Sequence, residues 1–192
     1  LEKKVVALTG MPGSGKSLVA EVAMEMGFSV VVMGDVIREE TERRGLKITP
    51  ENMGAVMLRL REEYGATVVA ERCISKIQAG TGSKVLVDGV RSIAEVDEFR
   101  RHFPNFVLVA IHSSPETRFQ RIYQRRRTDD PQSWKEFVER DLRELQVGVG
   151  AAIAMADYML INETTPTQLR RAAKNLLRKV ILHGSNCCEG GS

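Results

Sequence analysis

Apolar positions fall along this chain in two rhythms. Five short runs, at 4–9, 28–33, 84–88, 106–112 and 158–161, are nearly continuous in apolar residues and rich in Val, Ile and Leu. Runs of that length and make-up predict strands, buried as in a parallel sheet. Between them, apolar residues recur every three or four positions at 18–26, 36–44, 50–64, 66–78, 92–102, 115–127, 134–145 and 165–182, which predicts helices. The punctuation agrees. Gly45 stops one helix, Thr49 and Pro50 suit the N-cap and first position of the next, and Gly65 interrupts it. Asp129-Asp130-Pro131 breaks the long basic helix.

Strands alternating with helices predict an α/β fold in three layers, α/β/α, around a five-stranded parallel sheet. Ligands of such sheets collect beyond the carboxyl ends of the strands. Gly10, Gly34-Asp35, Asp88-Gly89 and His112 all fall at those ends. Polar residues far apart in the chain can therefore be read as one site. His112 suits a polar core position and is assigned no role.

Composition changes this picture little. At 192 residues, 43% hydrophobic and 28% charged, the chain suits one domain with a full core. No apolar run approaches the ~20 residues that span a bilayer, so no membrane partner is expected. The first strand begins so early that a signal peptide is not expected either. Cys73, Cys187 and Cys188 have neither framework nor metal-ligand spacing, which suits a reducing, cytoplasmic setting. A net charge of +3 is too small to imply nucleic acid. Arginines nonetheless gather at 38–61, 91–101 and 118–127, as solvated helix faces do, or as contacts for an anionic substrate. The segment 184–192 has no core-forming pattern and is expected to be a flexible tail.

Candidate chemistry centres on Gly10-Met11-Pro12-Gly13-Ser14-Gly15-Lys16-Ser17, between the first strand and the first helix. Gly, four residues, then Gly-Lys-Ser, in a strand–turn–helix context, is the pattern of a phosphate-binding loop. Residues without Cβ let successive N–H groups curl round an anion at a helix N-terminus. Gly10 to Ser17, with Leu18 after them, are the candidate ATP-binding residues. Lys16 would reach the β- and γ-phosphates, and Ser17 would ligate Mg²⁺. A glycine-rich turn with a stray lysine is the plain alternative, and the flanking strand and helix weigh against it. Asp88 closes an apolar strand, as a water-bridged second carboxylate for Mg²⁺ or as a helix cap would. Arg38, three residues after Asp35, and Arg91, three after Asp88, could clamp an acceptor phosphate, or pair at the surface with Glu39 or Glu95.

The loop, Gly34-Asp35-Val36-Ile37-Arg38, Asp88-Gly89-Val90-Arg91, and Arg127-Thr128-Asp129-Asp130 with Arg140 resemble the adenylate kinase family of nucleoside-monophosphate kinases. The chain is most similar to the archaeal adenylate-kinase-related P-loop proteins. That resemblance implies an ATP- and Mg²⁺-dependent nucleotide kinase acting on a nucleoside monophosphate such as AMP. It implies an acceptor site of Asp35, Arg38, Gly89 and Arg91, and catalytic roles for Lys16, Arg91, Arg127, Arg140 and Asp35. It further implies one domain over 1–183, with a core at 1–37, 84–117 and 146–183. A helical acceptor-binding insert would occupy 38–80, and a short helical lid 118–145. Val90 alone stands where the family usually has Phe-Pro, so Arg91 lies one residue nearer its glycine. Arg118, Arg121, Arg125 and Arg126 are further lid candidates, with Arg125 and Arg126 next in line, although Arg118, Arg121 and Arg125 share one helix face, as solvated residues do. Trp134 reads as a helix-packing anchor.

Ala156-Asp157-Tyr158-Met159-Leu160-Ile161-Asn162 resembles, by contrast, the C-terminal part of dephospho-CoA kinases. A ribose hydroxyl acceptor loses a proton, so a carboxylate base such as Asp35 would be useful there. An anionic acceptor needs only positioning and charge neutralisation. A nucleotide-binding switch or assembly factor with slow hydrolysis, or none, is the reading outside catalysis; it would not need paired acceptor-side arginines.

Overall fold

Alternation along β1 (Lys4–Thr9) sorts the interior into two cores. Val5 and Ala7 point to one side of the sheet, Val6 and Leu8 to the other. β3 (Lys84–Asp88) and β4 (Phe106–His112) repeat the pattern, with Val85, Val87 and Leu108 in the first core and Leu86, Val107 and Val109 in the second. Strands apolar on both faces must be covered on both. The computed structural model describes residues 2–125 and 130–183.

All strand pairs are parallel, in the order β2-β3-β1-β4-β5. β2 spans Ser29–Val32 and β5 spans Tyr158–Ile161. The second core is closed by α1 (Lys16–Glu25) and α9 (Pro166–His183), through Val19, Val22, Leu169, Ala173 and Leu177. Polar clamps fasten these two helices. Arg170 pairs with Glu21 at 2.8 Å and Glu25 at 2.7 Å, while Lys4 Nζ donates to the carbonyls of Val180 and Ile181 at 2.8 and 2.7 Å.

The first core is closed by α2 (Met33–Arg43), α3 (Pro50–Tyr64), α4 (Val68–Ala79) and α5 (Ile93–His102). Thr49 caps α3 as its sequence predicts, its hydroxyl accepting from the Asn52 amide at 3.2 Å. Glu40 holds the helical arm α2–α4 together. Its carboxylate, 2% exposed, accepts from Arg43 and Arg44 of its own helix region and from Arg72 of α4 at 2.9 Å.

α6 (Pro115–Arg125), α7 (Trp134–Val147) and α8 (Val149–Ala154) lie between β4 and β5 in the chain. Trp134 is a packing anchor here, edge-on to Phe119 at 5.3 Å and tilted on Phe137 at 5.2 Å.

Three features depart from the sequence pattern. β2 and β5 are edge strands, with Ser29 and Val32 exposed on one and Met159 and Ile161 on the other, so the runs at 28–33 and 158–161 are apolar without being buried throughout. β2 stops at Val32, and Gly34 and Asp35 lie in the first turn of α2. α8, only six residues long, is too short to show a period and begins where Gly148, at φ 111°, turns the chain after α7. No helix among the described residues is long and apolar enough to cross a membrane.

Candidate functional site

The loop from Gly10 to Ser17 follows β1 and opens into α1, with Gly15 at the helix N-cap in the left-handed region, φ 107°. Gly10, Gly13 and Gly15 are all needed here for space as well as conformation, a Cβ on Gly13 meeting the Arg118 carbonyl at 2.8 Å. A Cβ on Gly10 would run into the Ile111 carbonyl, and one on Gly15 into the Asn162 side-chain amide. Among the described residues no side chain caps α1, and no acidic residue sits in its first turn. Its first residues, at the positive end of the helix dipole, line the cleft beside the loop.

Lys16 arches back over this loop, donating to the carbonyls of Gly10 at 2.6 Å and Met11 at 3.2 Å. Burial pulls its pKa down to about 8, partly opposed by the charge of Asp88. Asp88 ends β3 directly beside Leu8, the residue before Thr9 and Gly10. Burial raises its pKa, against the pull of Lys16 and Arg91. One of its oxygens, Oδ1, is buried with no hydrogen-bond partner in the protein. A partnerless buried carboxylate oxygen is costly unless something binds it.

The loop's outer wall comes from distant sequence. Arg118 of α6 donates to the Pro12 and Ser113 carbonyls, each at 3.2 Å. The same guanidinium grips Asp141 of α7 with two bonds of 2.8 and 2.5 Å and lies over the Phe137 ring. Asn162, just past β5, donates its side-chain amide to the Ser14 carbonyl at 2.8 Å. Arg121 in turn holds the Asn162 carbonyl at 3.0 Å and the Ser113 hydroxyl at 2.9 Å. Nothing in the sequence ties these residues to the loop, since Arg118 and Arg121 read there as lid candidates. Arg118 looks like one more arginine on a basic face, yet it is 3% exposed.

A cleft of about 360 Å³ opens beside the loop. Gly10, Pro12, Gly13, Gly15, Lys16 and Ser17 line its floor; Gly89, Arg91, Arg140 and Glu144 face them. Of the sequence candidates, this brings together Gly10, Pro12, Gly13, Gly15, Lys16, Ser17, Gly89, Arg91, Arg121, Arg125 and Arg140, while Met11, Ser14 and Leu18 do not line it. Asp88 precedes the lining residue Gly89 but does not itself line the cleft, although its charge interacts with those of Lys16 and Arg91. Arg140 pairs at 3.5 Å with Asp130, which is fully buried and also takes two bonds from Arg125. Asp35 and Arg38 are half exposed and ion-paired with each other, and do not line this cleft. Asp35 is still close enough for its charge to act on Asp88. Arg126 and Arg127 lie outside the described residues.

Arg91 is held at two points. Its backbone N–H donates to Glu95 Oε2 at 2.9 Å, and its Nε faces Glu144 Oε2 at 3.5 Å. Glu95, 1% exposed, also accepts from Arg61 of α3 at 3.0 Å. Glu95 thus does meet Arg91, through its backbone. Glu144 carried no sequence signal, because one acid on an amphipathic helix reads as solvated face.

Residues 9–138 match the family model described as an AAA domain. Among curated proteins, a UPF0200 protein of Hyperthermus butylicus is 51% identical over 180 residues, covering 94% of this chain and 96% of the relative. Another UPF0200 protein, from Methanothermobacter thermautotrophicus, is 46% identical over 187 residues, covering 97% and 96%. Solved structures of similar fold include a shikimate kinase from Acinetobacter baumannii in complex with shikimate, TM-score 0.58 at 16% identity, covering 93% of each chain. A gluconokinase from Sinorhizobium meliloti gives a TM-score of 0.56 at 17% identity, covering 92% of this chain and 93% of that one. These neighbours have the P-loop kinase fold, without singling out adenylate kinases. Matched along nearly the whole length of its relatives, the chain belongs to the UPF0200 proteins and, by its residues 9–138, to the AAA domain family.

Proposed function

We propose that the protein is a kinase that transfers the γ-phosphoryl group of ATP to a small nucleotide, a nucleoside monophosphate such as AMP. The observation that carries this reading is the cleft itself, which Arg91 and Arg140 line together with Lys16 and the N-terminus of α1. In the reaction an acceptor oxygen forms a bond to the γ-phosphorus as the bond to the ADP oxygen breaks. The charge spread over the transferred group needs fixed cations and N–H donors more than it needs covalent help. Lys16 and the loop amides would hold the donor phosphates. Arg91 would hold the acceptor, and Arg140, set by Asp130, would meet the phosphoryl group in flight.

Mg²⁺ fits the residues present. The partnerless Asp88 Oδ1 and the cleft-lining Ser17 are the hard oxygen donors it takes, few in number and completed by water. When bound, the ion would neutralise phosphate charge. In this reading residues 38–80 form the acceptor arm and 118–145 the cover.

A hydroxyl acceptor is the second reading. It is favoured by the shikimate kinase and gluconokinase neighbours, and by Asp35, a carboxylate near Asp88 that could take up the hydroxyl proton.

The test is a coupled ADP-release screen of purified protein with Mg²⁺–ATP against nucleoside monophosphates, dephospho-CoA, shikimate and gluconate. Acceleration by a monophosphate is expected. Acceleration by hydroxyl acceptors alone would favour the second reading, and a rate unmoved by every acceptor would leave a nucleotide-binding switch.

A further inference from the structure

Glu144 is out of character with its surroundings. The cleft is lined by Lys16, Arg91, Arg121, Arg125 and Arg140, and Glu144 is the one carboxylate among its described lining residues. Its side chain is 16% exposed, so its charge is poorly screened. The Arg91 Nε sits 3.5 Å from its Oε2. Its charge is also felt by Lys16. An anion facing the guanidinium that would clamp an acceptor phosphate stands where that phosphate would stand.

The neighbouring geometry makes the contact selective. Arg91's backbone is pinned by Glu95, which is itself buried and tied to Arg61 of α3. The backbone being fixed, the guanidinium can change partners only by rotating its own side chain. Glu144 rides on α7, which Arg118 and Asp141 bind to α6 and to the loop. The carboxylate is therefore presented from a braced element rather than from a loose surface helix.

Resting on the proposed acceptor role of Arg91, we infer that Glu144 is a specificity-determining counter-anion: it occupies Arg91 while the acceptor site is empty and yields only to an incoming dianionic phosphate. A neutral or singly charged acceptor gains too little from Arg91 to displace a carboxylate already there. A phosphate dianion brings more charge and a bidentate geometry. The pair thus filters acceptors by charge before any contact with the base or sugar is made.

The probe is inorganic phosphate, titrated calorimetrically into protein saturated with Mg²⁺ and a non-hydrolysable ATP analogue, so that the loop is already filled. Glu144→Gln is expected to bind phosphate roughly three- to ten-fold more tightly than the native protein, the range of a partly buried ion pair. Glu144→Asp, which keeps the charge, is expected to stay near the native affinity. In an Arg91→Gln background the Glu144→Gln gain should vanish. Equal or weaker phosphate binding by Glu144→Gln, or a gain that persists without Arg91, would overturn the inference. This readout needs no turnover. Failure of the acceptor screen with normal phosphate behaviour would therefore count against the proposed reaction and not against the counter-anion.

Discussion

Arg118 and Asp141 meet through two parallel hydrogen bonds of 2.8 and 2.5 Å, with both side chains largely out of solvent. One end of the same guanidinium reaches the Pro12 carbonyl, so the pair braces α6 and α7 against the phosphate-binding loop.

Removing the acid should be the costly change. Asp141→Asn leaves Arg118 charged and buried without its counter-charge, an effect of about 3 kcal/mol. Urea denaturation should show the midpoint falling at constant slope. A double replacement by apolar residues, Arg118→Met with Asp141→Leu, should recover part of the loss. A single variant as stable as the native protein would show that the brace carries no weight.

Gly15→Ala tests the loop's shape. The new methyl would be forced against the Asn162 amide at a left-handed backbone angle. A loss of roughly 1–3 kcal/mol in stability is expected, with ATP binding falling further still. Thermal melts and a nucleotide titration measure the two separately. An unchanged nucleotide affinity would mean that the Ser14–Asn162 contact does not shape the cradle.

Lys16→Ala and Arg140→Ala should separate donor binding from chemistry. The first should lower phosphoryl transfer about 10³-fold or more. The second should lower kcat by about 10²-fold or more while changing the KM for ATP far less, if Arg140 acts on the phosphoryl group in flight. Steady-state kinetics on variants with native circular dichroism decide it. A KM effect without a kcat effect would make Arg140 a binding group instead.

Glu40 sets an acid limit. Hydrogen bonds from Arg43, with more from Arg44 and Arg72 and against the cost of burial, lower its pKa from the usual 4.5 to about 2. A depressed carboxylate pKa stabilises the fold above 4.5, and that contribution fades as pH drops toward 2. Glu40→Gln should therefore be less stable at neutral pH, and should lose less of its remaining stability between pH 5 and 2. Denaturation midpoints across that range would show parallel acid limbs if Glu40 were not the group responsible.

Much of this architecture was legible in the chain, because a strand buried on both faces leaves an unbroken apolar run and a helix leaves a period. The phosphate-binding loop was legible for a similar reason: its glycines and lysine act within one turn of each other. What escaped reading depends on partners brought from far away. Asn162 and Ser14 are 148 positions apart, and Arg118 and Pro12 are 106 apart. A buried arginine and an exposed one look alike in a basic helix, so Arg118 could not be told from its neighbours. Glu144 is hidden in the same way, and Arg38, expected at the cleft, pairs with Asp35 outside its lining.

The sheet order has a consequence for how the molecule is made. β1 lies at the centre, hydrogen-bonded only to β3 and β4, both of which come much later in the chain. Closing such long loops is an entropic cost met before the contacts return anything. The phosphate-binding loop, which precedes both in the chain, must therefore wait for α6 and Asn162 before its carbonyls are held. Nucleotide can bind only what has already assembled. It serves as a seal on completed folding, and a chain arrested before β5 would carry the whole motif in its sequence without a cradle to put it in.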